Sequence, residues 1–467
     1  MEENKILTAK KIIEITNGKL LSGKEDTIIE KFSIDTRIME KDDMFVEVEP
    51  NLEKENPYIE IALENGAIGV MVERNLSEEL IKKYSNKLII QVQNSVLALQ
   101  KLATYKRKQY NIPVIAITGS VGKTSTKDIV ANVMSQKYNV LKTQGNYNNH
   151  IGVPLTLLRL KDHTAVVIEM GMNHFGEISV LTKIAKPTTC IITNVGTAHI
   201  GNLGSRENIL KAKLEILEGL QQNGNVIINN DNDLLHKWAN EDSKYKIITY
   251  GIENNSNYEA YNIKSSANGS TYNIKIKENT YNVKVPVGGN HFIYNSLCAI
   301  SAGLIYDIDI EKILYGIENF ELTKRRMEVE KINDVTIIND AYNASYDSMK
   351  PALEYLKEIQ GNKKIAVLGD MLELGEFSKE LHEKVGCEVA KNNIDILITV
   401  GEFSKYIAKK AIQLNMPKDK VYICENTEEA ANKIKELWGK NDVILLKASN
   451  GMRFDKILER IKENAKN

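Results

Sequence analysis

Residues 114–125 read Val-Ile-Ala-Ile-Thr-Gly-Ser-Val-Gly-Lys-Thr-Ser, and this stretch decides the fold. Val114–Thr118 is a run of apolar and β-branched residues without polar alternation, the pattern of a strand covered on both faces. Gly119 and Gly122 then enclose Ser120 and Val121, and Lys123, Thr124 and Ser125 lead into a helix. Glycines let a backbone approach phosphates, the N–H groups of a helix start favour anions, and a lysine adds charge. Residues 119–125 therefore predict a phosphate-binding loop, with the Thr124 hydroxyl placed to ligate Mg²⁺. Only two residues separate the glycines, against four in the common pattern. A plain glycine turn would explain the glycines but not Lys123-Thr124 between strand and helix.

Working outward, apolar strands follow at 165–169, 190–194 and 226–229 with helical patterns between them, which is the signature of a parallel sheet. From 258 to 287 the period becomes two, predicting antiparallel hairpins with Glu278-Asn279 in a turn and a helix over 295–307. Upstream, strands are expected at 31–37, 44–48 and 67–72, with helices over 58–65 and 95–109. Lys106-Arg107-Lys108 before Asn111-Ile112-Pro113 reads as a hinge, because proline disfavours helix in the residue before it. Beyond 324, strands at 335–340, 364–369, 396–400 and 443–447 alternate with helices. The expected fold class is α/β in three domains. A small N-terminal α/β domain (1–110) precedes a central P-loop parallel-sheet ATPase domain (111–322) and a Rossmann-like C-terminal α/β domain (323–467).

Length agrees, since 467 residues suggest about three domains. With 61 basic against 62 acidic residues the net charge is -1, which excludes a nucleic-acid-coating protein. No apolar run reaches the ~18 residues of a membrane span. The opening Met1-Glu2-Glu3-Asn4-Lys5 lacks a signal-peptide stretch. Cys190, Cys298, Cys387 and Cys424 form no CxxC pair and suit a reducing compartment. A cytoplasmic protein without membrane insertion is expected.

Two further sites follow from the residues. Glu169 ends one expected parallel strand and His199 follows another, so both sit at carboxyl ends, where open α/β sheets form their crevices. With Thr124 they make a possible Mg²⁺ set, although on chemistry alone His199 is as readily a hydrogen-bonded core residue. In the helix expected over 205–220, capped by Ser205, the residues three and four positions from Lys213 are Ile209, Leu210, Ile216 and Leu217. Lys211 has Glu207 and Glu215 instead. Lys213 either snorkels or, if buried, presents a neutral nucleophilic amine.

The loop TGSVGKTS at 118–125 resembles that of the Mur ligases, ATP-dependent enzymes that form amide bonds. The resemblance runs through all three expected domains and is firmest from residue 113 onward. The segments EMG at 169–171 and NVGTAH at 194–199 are similar to those that carry metal ligands in that family, which implies this role for Glu169 and His199. Lys213 matches a lysine that the family carbamylates, giving a carboxylate for a second Mg²⁺. His291 and Asn295, in a segment similar to GxHNxxN, are implied at the adenine end of ATP; Phe292 replaces an Asn there, and a helix cap is the other reading. Arg326 in Lys324-Arg325-Arg326 is similar to an arginine that reaches the ATP phosphates, with Arg325 as the other candidate. Asp340 is implied at a ribose hydroxyl, and Tyr342 and Asn343 at substrate. Asn148 and Asn149 lie in a segment similar to one at the interdomain cleft, where His150 carries no assignment.

Leu368–Gly375 (LGDMLELG) and Lys447–Arg453 (KASNGMR) resemble the branch that uses D-alanyl-D-alanine. The resemblance implies that D-alanyl-D-alanine is joined to UDP-N-acetylmuramoyl-tripeptide at the expense of ATP with Mg²⁺, by a monomer that binds no nucleic acid. Ser33, Asp35 and Arg37 resemble the uridine-side S-x-D-[ST]-R segment, but the DGHxF segment that follows it in the family is replaced by residues 51–58. Two rivals are a Mur-like paralogue that ligates another carboxylate and amine, and a nucleotide-regulated binding protein that has lost catalysis.

Overall fold

In the computed structural model, residues 5–241, 244–266 and 269–464 are described; the acidic opening at 1–4 lies outside them. Most strands fall in three sheets. The central sheet has nine, in the spatial order Asn279–Val285, Gly269–Ile276, Tyr258–Ser266, Lys246–Gly251, Asn225–Asn229, Thr189–Ile192, Val114–Thr118, Ala165–Glu169 and Val140–Lys142. It is parallel from Val140–Lys142 to Tyr258–Ser266, and the last three strands pair antiparallel. The glycine-loop strand Val114–Thr118 lies between Ala165–Glu169 and Thr189–Ile192. Their registers, Ile117 with Glu169 and Thr118 with Ile192, bring three strand ends to one crevice. The whole Val114–Thr118 strand is buried, as its lack of alternation requires.

The C-terminal sheet runs Glu328–Ile332, Val335–Asn339, Val443–Lys447, Lys364–Gly369, Ile396–Val400 and Val421–Cys424, parallel except for its first pair. The N-terminal sheet has five short strands, among them Met44–Val46, Gly69–Val72 and Leu88–Gln91. No described helix is long and apolar enough to cross a membrane.

Several expectations change. The strand expected at 31–37 is only Phe32–Ser33, because the Asp35 side chain takes the Arg37 N–H into a local turn. The hairpin turn is Lys277-Glu278, with Ile276 paired to Asn279 and Lys277 in the left-handed region at φ 55°. The helix expected from 295 begins at Asn290, directly after Gly289 at φ 102°. The helix with Lys213 ends at Leu214 and tightens into a 3₁₀ turn over Glu215–Gly219.

The basic stretch is not a free hinge. Arg107, 4% exposed, donates to the carbonyls of Ala185, Tyr110 and Lys186, and Lys106 donates to the Lys5 carbonyl. The helix Ser95–Lys108 packs on Gly152–Leu158 and Glu177–Ala185, with Leu99, Leu102 and Ala103 in the same core as Val114 and Ile115. A guanidinium with a fork of donors can satisfy several loop carbonyls at once, which is why a charge run can end up buried.

Candidate active site

Gly119 (φ 154°) and Gly122 (φ 80°) shape the loop. A Cβ on Gly119 would stand 1.9 Å from Thr193 Oγ1, so the close approach to the neighbouring strand end requires glycine. Asn194 holds the loop from outside, accepting from the Val121 N–H at 3.0 Å and donating to the Val121 carbonyl at 2.9 Å. The Lys123 ammonium donates to the Gly119 carbonyl at 2.7 Å, folded over its own loop. Burial pushes its pKa below the ordinary lysine range, opposed by the charge of Glu169. The helix Lys123–Ser135 starts here, and its buried face includes Thr124 and Ser125.

A cavity of about 550 Å³ opens over this loop. Its lining brings together residues 120–125, Asn148, Asn149, Glu169, His199, His291, Asn295, Arg326, Asp340, Tyr342 and Asn343. The central and C-terminal sheets thus contribute to one site. Gly119 underlies the loop. Ser33, Asp35 and Arg37 lie apart from this cavity; there Asp35 is paired with Arg37, which lowers its carboxyl to about 2.

Glu169 is 2% exposed; Oε1 accepts from Asn148 Nδ2 at 2.8 Å, and Oε2 has no partner. Asn149 caps the following turn by accepting from the Ile151 and Gly152 N–H groups, so its role is structural as well as lining. His199 occupies the left-handed region at φ 63°. Its Nδ1 lies 2.6 Å from Glu373 Oε2, although the N–H is not aimed squarely at the oxygen. Lys213 is 1% exposed, while Lys211 faces solvent. Burial, with the charge of Lys123 added, pushes the Lys213 pKa well below the ordinary range. Lys213 is not among the cavity-lining residues.

From the C-terminal side, Arg326 Nη2 donates to Thr124 Oγ1 at 3.2 Å, its guanidinium stacks 3.9 Å above the Tyr342 ring, and its Nε is buried without a partner. Arg325 turns away to the Ala341 carbonyl, which leaves Arg326 as the arginine at the phosphate loop. Asp340 pairs with Lys447, a residue 2% exposed, and accepts from the Met327 N–H. Asn343 Oδ1 accepts from the Ala344 N–H. His291 has a buried Nδ1 without a partner, and burial pushes its pKa down to about 4. Asn295 Oδ1 accepts from Thr126 Oγ1 at 3.0 Å, beside the phosphate loop. Phe292, the departure from the family pattern, is 1% exposed.

Three contributors were not singled out from sequence. Asp347 Oδ2 accepts from the Thr197 N–H and Oγ1, Glu373 reaches His199, and Asp128 Oδ2 accepts from the Thr323 N–H and Oγ1. The first two join the domains across the NVGTAH loop; the third fixes the chain just before Arg326. Glu373 lies inside the quoted LGDMLELG segment, so its signal was available. Asp347 and Asp128 carry no motif.

No cluster of three or more His, Cys, Asp or Glu side chains fit for a metal occurs among the described residues. A smaller set does fit Mg²⁺: the buried Glu169 Oε2 is a hard oxygen donor without a hydrogen-bond partner, and Thr124 and His199 line the same cavity.

A glycine loop on a parallel sheet, crossed by an arginine from a second α/β unit, defines a nucleotide-phosphate site of the interdomain kind. Residues 117–303 match the Mur ligase middle domain, and residues 325–450 match the Mur ligase, glutamate ligase domain. The chain belongs to the Mur ligase family. It is 36% identical over 461 residues to the UDP-N-acetylmuramoyl-tripeptide–D-alanyl-D-alanine ligase of Bacillus subtilis, covering 98% of each chain. Among solved structures it is similar to MurF from Acinetobacter baumannii (28% identity, TM-score 0.85, 98% of this chain and 99% of that one). It is also similar to MurF ligase from Thermotoga maritima in complex with ADP (27% identity, TM-score 0.79, 94% and 98%).

Proposed function

We propose that this chain is an ATP-dependent ligase that joins D-alanyl-D-alanine to the peptide carboxylate of UDP-N-acetylmuramoyl-tripeptide in peptidoglycan precursor synthesis. The observation that carries this reading is Arg326, which crosses from the C-terminal sheet to Thr124 of the phosphate loop inside one shared cavity. The match to curated D-alanyl-D-alanine ligases along nearly the full chain supports the substrates.

A carboxylate is a poor acyl donor because its leaving group would be oxide. Transfer of the ATP γ-phosphoryl to a carboxylate oxygen, with ADP leaving, gives an acyl phosphate. The dipeptide amine then attacks the acyl carbon, the C–O bond to phosphate breaks, and the nitrogen loses a proton. Such chemistry asks mainly for positioning and charge neutralisation. The loop N–H groups and Lys123 bind the phosphates, with Lys123 leaving the Gly119 carbonyl to do so. Arg326 supplies charge to the transferring group, its free Nε being available for a second contact. His291 and Asn295 would take the nucleoside, Asn295 from its place against Thr126 beside the phosphate loop, and a neutral imidazole there hydrogen-bonds without adding charge. Thr124, Glu169 and His199 would hold Mg²⁺, which when bound neutralises phosphate charge. The buried Lys213 amine would take up CO₂ with loss of a proton, giving a carbamate as a further oxygen ligand; its depressed pKa supports the neutral amine this requires.

In this reading residues 1–110 take the UDP end through Ser33, Asp35 and Arg37. Residues 111–322 take ATP, and residues 323–467 take the dipeptide through Tyr342 and Asn343. The enzyme acts as a cytoplasmic monomer. One observation favours the paralogue reading: Arg74, paired with the buried Glu47, ties down the loop at 51–54 where the family has DGHxF. ADP release separates the readings. It is expected only when the muramoyl-tripeptide and D-alanyl-D-alanine are both present. ADP release with neither substrate, or only with a different acceptor, contradicts the proposal.

A further inference from the structure

The segment Leu368–Gly375 is braced at successive residues. The Asp370 carboxylate accepts from the N–H groups of Glu402, Phe403 and Ser404 at 3.0, 3.0 and 2.7 Å. Gly401, at φ 118°, makes room for it, since a Cβ there would stand 2.6 Å from Asp370 Cγ. The Met371 N–H donates to His382 Nε2 at 3.0 Å, while His382 Nδ1 donates to the Ser378 carbonyl at 2.6 Å, which fixes the tautomer of that buried ring. The Leu372 N–H donates to Ser449 Oγ at 3.0 Å, so the KASNGMR segment is part of the same brace.

The brace ends at Glu373, held in the left-handed region at φ 63°. The Glu373 carbonyl accepts from the Gly201 N–H at 3.2 Å, and a Cβ on Gly201 would lie 2.6 Å from the Gly375 nitrogen. His199, two residues before Gly201 on the other side of the boundary, is also left-handed. Non-glycine residues hold such conformations only where the surroundings over-determine them. Here the two backbones meet across the domain boundary, and the meeting sets Glu373 Oε2 at 2.6 Å from His199 Nδ1.

We propose that Glu373 is a positioning residue for His199. Carried by the braced segment, it reaches the ring only when the C-terminal domain lies against the central one. It holds Nδ1 toward the carboxylate and leaves Nε2 for the cation. Histidine ligands generally give their second ring N–H to a carboxylate or carbonyl, which sets the ring's orientation and basicity. Here that partner comes from the other domain, so cation affinity would report whether the two domains are in contact. The inference rests on the cation role given to His199 above.

The test is Mn²⁺ binding to the full chain in the presence of ADP, read from the free-ion paramagnetic resonance signal. Glu373→Gly, which suits the left-handed backbone, is expected to weaken Mn²⁺ binding by about ten-fold or more. ADP affinity without metal should stay unchanged, which also verifies folding. Glu373→Gln still accepts from Nδ1 and should keep most of the Mn²⁺ affinity. Wild-type Mn²⁺ affinity in Glu373→Gly overturns the proposal, as do equal losses in the two variants or absence of Mn²⁺ binding by the wild type. If product still forms while Glu373→Gly binds Mn²⁺ normally, the ligase reading stands and this one falls. If the wild type makes no product yet loses Mn²⁺ on the substitution, the reverse holds.

Discussion

Replacing Arg326 with Ala removes the side chain that joins the C-terminal sheet to the phosphate loop. We propose that the C-terminal domain swings onto the central one when nucleotide and acceptor bind; the stacking of Arg326 on Tyr342 is internal to the C-terminal part and does not enter that balance between open and closed forms. The contact that does enter is the charge-assisted bond to Thr124 Oγ1, at 3.2 Å. A hydrogen bond to a charged group contributes roughly 1.5–3 kcal/mol, so closure should weaken by about 10- to 100-fold. An arginine that neutralises a transferring phosphoryl group contributes about 10³- to 10⁵-fold to the rate. The combined expectation is a fall in kcat of at least about 10³-fold. Nucleotide binding to the open form depends on the loop and Lys123, which the substitution leaves intact, so ADP affinity should change by less than about 3-fold (under ~0.7 kcal/mol). Steady-state turnover and calorimetric ADP titration give the two numbers. A kcat within a few-fold of wild type, or an ADP affinity that falls as far as kcat does, would refute the assignment.

Lys213→Ala should lose most activity and keep its fold, whereas Lys211→Ala, at an exposed position, should remain active; acetate or formate should partly restore the first by supplying the missing carboxylate. Full activity in Lys213→Ala contradicts the carbamate. Arg107→Ala takes this donor from the Ala185 and Tyr110 carbonyls, while Lys186 keeps Gln221, and should cost about 2–4 kcal/mol, seen as a lower thermal midpoint. His291 has a folded pKa of about 4. As pH falls below the ordinary value of ~6.5, the unfolded chain binds a proton that the folded site refuses, so stability is lost down to about pH 4. Between pH 7 and 5 this amounts to about 2 kcal/mol. His291→Gln should lose correspondingly less over that range in denaturant titrations at the two pH values.

The legible parts of this molecule are those where one strong local rule acts. Val114–Thr118 had no polar alternation and became a strand buried on both faces. Glycine, Lys123 and Thr124 in fixed order became a loop at the sheet crevice, and of the two outcomes that four apolar neighbours left open for Lys213, snorkelling or burial, the structure shows burial. Short strands such as Val140–Lys142 and Val421–Cys424 were not legible, because a few residues paired by the sheet leave no periodicity in the chain. Arg107 misled because a charge run predicts solvent unless backbone carbonyls converge on it, and that convergence is tertiary. Asp347 and Asp128 were missed for the same reason: each is a lone acid bonded to a threonine about 150 or more positions away. Interdomain contacts belong to the assembled molecule and not to any window of its sequence.

The central claim is that this chain joins D-alanyl-D-alanine to UDP-N-acetylmuramoyl-tripeptide. Mass spectrometry of the nucleotide product, with ATP, Mg²⁺ and both substrates, tests it most directly. The account predicts a mass gain of one D-alanyl-D-alanine residue pair, equal in amount to the ADP formed and absent without ATP. No adduct at high enzyme concentration, while ADP accumulates with another carboxylate and amine, would contradict it.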